Sequence, residues 1–277
     1  MTSLEFLYHT TPGRMVLKVL TKPGISKICG RFLDSPLSCC LIKPFTRKNQ
    51  ICLSDYQLNS IHSFNDFFSR KIKPNLRPMD KDPFHLVAPC DGLLSVWKIN
   101  KDTVLPVKQS HYTLSSLLAD SKLATRYNDG YCFVFRLCVN HYHRYCYVDS
   151  GRKSNNRAID GQLHTVQPIA LHDIPVFTEN SREYTLIQSP HLGTLLQMEV
   201  GAMLVGRIVN HKDAGMVIRG QEKGFFQYGG STIIVLTEKG KVSLREDISL
   251  HSKNGVETPV KMGETIAYAK MDSKTYS

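Results

Sequence analysis

One joint, near the end of the stretch Val217–Leu236, constrains this chain more than any other feature. Gly229-Gly230-Ser231-Thr232 runs directly into Ile233-Ile234-Val235-Leu236. Four apolar residues in a row, three of them β-branched, specify a buried strand, and a buried strand needs a sheet around it. The two glycines ahead of it are the most permissive backbone a chain can offer. A hydroxyl therefore sits between the most flexible backbone and one of the stiffest elements. Gly-Gly and Gly-Ser before an apolar run ordinarily mark a hairpin turn. A strained peptide bond beside a serine hydroxyl is also a place where a chain can attack itself. On this stretch alone the turn is the better reading; the rest of the chain weighs the other way.

The chain has 277 residues, enough for one large domain or two small ones. With 42% apolar and 21% charged residues it has an ordinary globular composition. No window reaches the ~18 uncharged apolar residues of a membrane-spanning helix. The N-terminus carries Glu5 and His9 and no long apolar core, which argues against a secretory signal. The expectation is a cytosolic chain or one bound to a membrane face. The net charge of +11 suits nucleic acid or an anionic lipid surface. Residues 1–60 carry eight Lys or Arg against three acids, nearly half the excess. A nucleic-acid role would rest on charge alone, since no helix-turn-helix, zinc finger or RNA-binding signature is present. The eight cysteines form no C-x-x-C pair and are read as reduced, mostly buried thiols.

Residues 11–34 read as helix. Thr11-Pro12 starts it, Ser35-Pro36 stops it, and Ile25, Ile28, Cys29, Phe32 and Leu33 form an apolar stripe opposite Lys27 and Arg31. Such a basic amphipathic helix suits a membrane surface or a docked helix with a solvated face. Residues 63–72 read as a second helix, with Ser63 as N-cap, Asp66 in the first turn, and Phe64, Phe67 and Phe68 on one side. From Leu86 the pattern turns to strands. Pro89-Cys90-Asp91-Gly92 is a turn signature, residues 111–126 read as helix, and residues 131–139 form a strong strand. That strand exits into Asn140-His141-Tyr142-His143-Arg144. Imidazole titrates near neutrality and strand exits often line sites, so His141 and His143 are candidates. Their spacing also suits a metal, but no third ligand is evident and no metal is expected. Further strands are expected over 183–188, 193–200, 203–209, 241–244 and between 256 and 269.

Together these pieces resemble phosphatidylserine decarboxylase. The matching segments are Phe64 to Arg70 with Arg77-Pro78, Ala88 to Gly92, Tyr142-His143-Arg144, Gly161 to Pro168, Val200-Gly201-Ala202 with Val205-Gly206, and Gly229 to Thr232. Each is weak alone; the ordered set, over roughly 60–268, is specific. The resemblance implies a self-processing enzyme with a covalent pyruvoyl group made from Ser231. Ser231 attacks the carbonyl of Gly230, Asp91 and a histidine relay the proton, and elimination splits the chain. Residues 1–230 become a β chain and 231–277 an α chain. The new ketone takes up the amine of the lipid's serine headgroup and draws electrons from it, so that CO₂ leaves and phosphatidylethanolamine forms.

The family motif carries a second histidine three residues after that of Tyr-His-Arg, commonly assigned as the base. Here that position is Cys146. His143 is therefore assigned to the relay, with His141 or His164 as possible contributors and as substrate-site candidates. Implied partners are the phospholipid, an anionic membrane surface, and the α and β chains of one precursor. A homodimer is left open, and nucleic acid is not expected. The implied location is peripheral, on the cytoplasmic face of the cell membrane. The expected fold is α+β: helical, basic, membrane-facing residues 1–62 on a β-rich catalytic core, 63–277, of mostly antiparallel sheets. The rival readings are a pyruvoyl-dependent decarboxylase of another amine-bearing substrate and a non-catalytic lipid-binding protein. A serine hydrolase lacks G-x-S-x-G around Ser231.

Overall fold

Ser231–Thr237 is a strand near the middle of the largest sheet, and all seven of its residues are buried. It pairs antiparallel with Gly193–Val200 on one side and with Tyr131–Leu137 on the other. Beyond these lie Arg182–Ser189 and Gly92–Lys98, the latter followed by Thr258–Val260. The computed structural model describes residues 6–7, 10–20, 23–100, 105–107, 110–162, 176–201, 207–228 and 231–270. Among these the large sheet has nine strands, and all of its strands pair antiparallel. The α+β expectation holds, with the helices of the first 70 residues ahead of a β-rich core.

The run that reads as a buried strand is buried because the sheet has a core on each face. Ile233 and Val235 join Phe133, Phe135 and Leu195 on one side. Ile234 and Leu236 join Met198, Leu196 and Val134 on the other. Burying each such side chain contributes roughly 1.5–3 kcal/mol, so the register of this strand is fixed from both faces. Ser231 lies opposite Leu137 and shares the face of Ile233.

Several boundaries differ from the sequence reading. Residues 11–34 form two helices, Thr11–Leu20 and Pro23–Leu33, because Pro23 starts a helix more readily than it continues one. The expected apolar stripe divides: Leu33 packs inward while Ile28 and Phe32 are exposed. The helix expected over 63–72 closes after Phe68, and Lys71–Ile72 instead pairs with Tyr56–Gln57. Its start is as expected, with Ser63 Oγ accepting the Asp66 amide at 3.1 Å. Residues 111–126 hold two short helices, parted where Ala119 turns left-handed and Asp120 caps the next. The helices Ile42–Lys48 and Glu246–Lys253 lie where the sequence pattern marks none. All eight cysteines are free, but only Cys90, Cys132 and Cys146 are buried.

Candidate active site

Three elements bring the site together. The strand Tyr131–Leu137 ends beside Ser231. The chain then loops through Cys138–His143 and enters the short strand Arg144–Cys146, which pairs with Glu222–Phe226. The amide of Phe226 donates to the carbonyl of His143 at 3.0 Å, anchoring the histidine backbone. The third element is the helix Phe64–Phe68, whose last ring lies 4.0 Å from the imidazole, tilted by 31°.

His143 and Ser231 meet. The imidazole Nδ1 is 3.2 Å from Ser231 Oγ, and both residues are wholly buried. The other ring nitrogen, Nε2, is 3.1 Å from the carbonyl of Cys138. A carbonyl only accepts, so Nε2 carries the proton and Nδ1 presents a lone pair to the serine hydroxyl. Burial, then the charges of Arg70 and His141, hold the His143 pKa down to about 3. The ring is therefore neutral at ordinary pH. Cys138 sets the second histidine as well. Its amide donates to His141 Nδ1 at 3.1 Å, and its carbonyl accepts the His141 amide at 2.9 Å. One backbone unit thus orients two imidazoles.

Asp91 lies elsewhere in the same neighbourhood. Its carboxylate accepts two hydrogen bonds from Arg77, Nε at 2.7 Å and Nη2, and one from the Met262 amide at 3.0 Å. No hydrogen bond joins Asp91 to His143 among the described residues. The histidine that feels it is His141, whose pKa burial lowers and Asp91 pulls back up. Asp91 and His141 line one cavity of about 590 Å³ together with Pro78, Gly92 and Met262. That volume suits a small-molecule headgroup.

Among the described residues Cys146 makes no hydrogen bond to His143 or Ser231. It is buried, its thiol pushed up to about 12 by desolvation, and its backbone bonds Pro89 and Gln197. A neutral thiol of that kind packs as an apolar group. His164, Gly229 and Gly230 lie outside the described residues. The sequence reading gave no part to Phe68, Arg77 or the backbone of Cys138. The first two stand inside matched segments, whereas a backbone carbonyl leaves no trace in residue type. No group of three or more potential metal ligands occurs among the described residues.

A family profile described as phosphatidylserine decarboxylase matches residues 64–268. The chain is 42% identical over 264 residues to phosphatidylserine decarboxylase proenzyme 2 of Clostridium acetobutylicum, covering 95% of this chain and 90% of the relative. It is 40% identical over 269 residues to the phosphatidylserine decarboxylase proenzyme of Ruminiclostridium cellulolyticum, with the same coverage. The proenzyme of Clostridium botulinum strain Langeland is 41% identical over 273 residues, covering 96% of this chain and 92% of the relative.

Proposed function

The chain belongs to the phosphatidylserine decarboxylase family, and from that premise we propose how its own residues build the reactive centre. The enzyme is a carboxy-lyase, made as a proenzyme, that decarboxylates phosphatidylserine to phosphatidylethanolamine. The reading of a non-catalytic lipid-binding protein falls away.

Ser231 is the residue that cuts the chain. Its hydroxyl proton passes to Nδ1 of His143 as Oγ adds to the carbonyl carbon of Gly230. The Gly230–Ser231 C–N bond breaks, the nitrogen takes up a proton, and Gly230 is left as an ester on Oγ. Loss of the Ser231 Cα proton and rupture of the Cβ–Oγ bond release residues 1–230 with a carboxylate end. The unsaturated residue that remains takes up water and loses ammonia, leaving a pyruvoyl group at the head of residues 231–277. The observation that carries this reading is the 3.2 Å contact between a buried hydroxyl and an imidazole nitrogen that has a lone pair to accept its proton.

The residues present fit such a group without a separate pocket. It would be the former Ser231 itself, held at a strand end by pairing with Leu137. When formed it supplies an electron sink for the bond to the departing carboxylate. Asp91, fixed by Arg77, stabilises the positive charge that the histidine pair gains when Ser231 loses its proton. His141 lines the headgroup cavity beside it, and His164 is assigned to the lining on its sequence segment alone.

The N-terminal helices face an anionic membrane surface, on the cytoplasmic side. Met15, Ile28, Phe32 and Leu37 are exposed, and so are the basic residues Lys43, Arg47 and Lys48 of the helix Ile42–Lys48. Each such cation near an anionic leaflet contributes about 1 kcal/mol. No described helix is long and apolar enough to cross a membrane.

Intact mass of the wild type beside Ser231→Ala tests the cleavage. The expected wild type is two chains, 1–230 and 231–277, the shorter one lighter by one ammonia than a serine-headed peptide. Ser231→Ala stays whole. A wild type that remains a single chain overturns the reading.

A further inference from the structure

The helix Phe64–Phe68 touches His143 through Phe68, while Asn65 ties it both to the chain three residues ahead of Ser231 and to the N-terminal helices. Asn65 is 2% exposed. Its Oδ1 accepts the backbone amide of Tyr228 at 3.2 Å. Its Nδ2 donates to the carboxylate of Asp34 at 2.8 Å, just past the helix Pro23–Leu33. The two partners fix which way the amide points, since an N–H needs the oxygen and a carboxylate needs the NH₂.

A second tie runs in parallel. Ser38 Oγ accepts the amide of Phe64 at 2.8 Å and donates to the carbonyls of Leu33 and Ser35. At its other end the helix carries Phe68 against the His143 ring, and Arg144 Nε donates to the Ser69 carbonyl at 2.6 Å. The Tyr228 ring is set edge-on against Phe45, Phe64 and Phe68. Tyr228 stands three residues ahead of Ser231, on the side of the chain that self-cleavage would release.

We propose that Asn65 is a positioning residue for self-cleavage. It holds Tyr228, three residues ahead of Ser231, and it does so with its amide braced by Asp34. Docking of the helix Pro23–Leu33 therefore prepares the chain for cutting, and the precursor matures once its N-terminal layer is in place. This rests on the reading that Gly230–Ser231 is the bond cut. Asn65 touches no reacting atom, so its work ends with cleavage, and turnover by the matured enzyme does not depend on it.

The full chain is pulse-labelled during synthesis, and the appearance of the two-chain form is followed. Asn65→Ala is expected to slow it on the order of tenfold, the worth of one buried hydrogen bond read as a rate. Decarboxylation per cleaved molecule stays within about twofold of wild type. Asn65→Asp, with two carboxylates face to face, is slow as well. Asn65→Asp keeps an acceptor for the Tyr228 amide and loses only the bond to residue 34; combined with Asp34→Asn it regains that bond in reversed sense and recovers a rate within about threefold of wild type. Thermal midpoints are measured alongside; if Asn65→Ala does not fold, the swapped pair against Asn65→Asp decides. The proposal is overturned if Asn65→Ala cuts at the wild-type rate. It is equally overturned if the swap is no faster than Asn65→Asp at matched thermal midpoint, or if turnover per cleaved molecule falls as cleavage does. An uncut wild-type chain overturns the cleavage reading and this inference together; a cut wild type with a fast Asn65→Ala overturns this inference alone.

Discussion

As the proposed base His143 is unusual, because its surroundings disfavour the proton it would take. Burial, Arg70 and His141 depress its pKa to about 3, against ~6.5 for an unfolded histidine. The imidazole is thus in its accepting form at any pH where the protein works, and the cation it becomes is high in energy and passes its proton on. Two outcomes follow. The self-cleavage rate stays level between pH 5 and 8 when followed in a slowed variant such as Asn65→Ala; an inflection near 6.5 would identify an exposed base instead. Stability behaves differently. Between about 6.5 and 3 the unfolded chain takes up a proton that the folded chain refuses, so stability is complete above 6.5 and falls as pH drops through that window. His143→Gln removes the titration. In urea unfolding at pH 7 and 4.5 it loses less stability between the two than wild type does, by on the order of 2 kcal/mol. Cys146 is the contrasting residue. Its thiol is neutral and buried, so Cys146→Ser costs about 1–3 kcal/mol by burying a more polar hydroxyl in its place. Self-cleavage persists, and a cleavage defect at unchanged thermal midpoint would place Cys146 in the relay.

At the level of elements, the strand Ser231–Thr237 was legible because four apolar residues in sequence have few other uses. The exit into His141 and His143 was legible because a polar cluster follows a buried run. What could not be read was whatever depended on pairing across long separations. Lys71–Ile72 continues a helical pattern locally, yet a partner strand at Tyr56–Gln57 claims it. Asp91 reads as a relay carboxylate from its segment, yet its hydrogen bonds go to Arg77 and Met262, and the latter is distant in sequence. The strand pair that carries His143 shows how much one residue type can fix. Glu222–Phe226 meets Arg144–Cys146 with a register shift between Glu222 and Gly224. A Cβ on Gly224 would stand 2.1 Å from the Val209 carbonyl oxygen and 2.9 Å from the Tyr145 hydroxyl. Backbone cannot give way as a side-chain tip can, so Gly224→Ala parts the sheet next to the histidine. The expected result is a loss of a few kcal/mol in thermal or urea unfolding and self-cleavage slowed with it.

For the whole molecule, the proposed cut at Gly230–Ser231 would divide the covalent chain without dividing the fold. The shorter piece does not lie at an edge. Its first strand sits between Gly193–Val200 and Tyr131–Leu137, while Thr258–Val260 pairs with Gly92–Lys98 and Thr265–Ala269 with His85–Val87. Extracting it would strip hydrogen bonds from both neighbours of the first strand and open both apolar cores, since Ile233 and Val235 belong to one and Ile234 and Leu236 to the other. An enzyme cut there would therefore be one folded body of two chains, and its unfolding would release two particles where the uncut precursor releases one. Mass action then makes the midpoint of the matured form depend on concentration, rising as protein is added, whereas Ser231→Ala unfolds at a midpoint that does not. Gel filtration without denaturant keeps the two chains together at the volume of the uncut variant, and urea separates them. A matured enzyme whose short chain dialyses away under native conditions would mean that the central strand is held far more weakly than a strand buried on both faces should be.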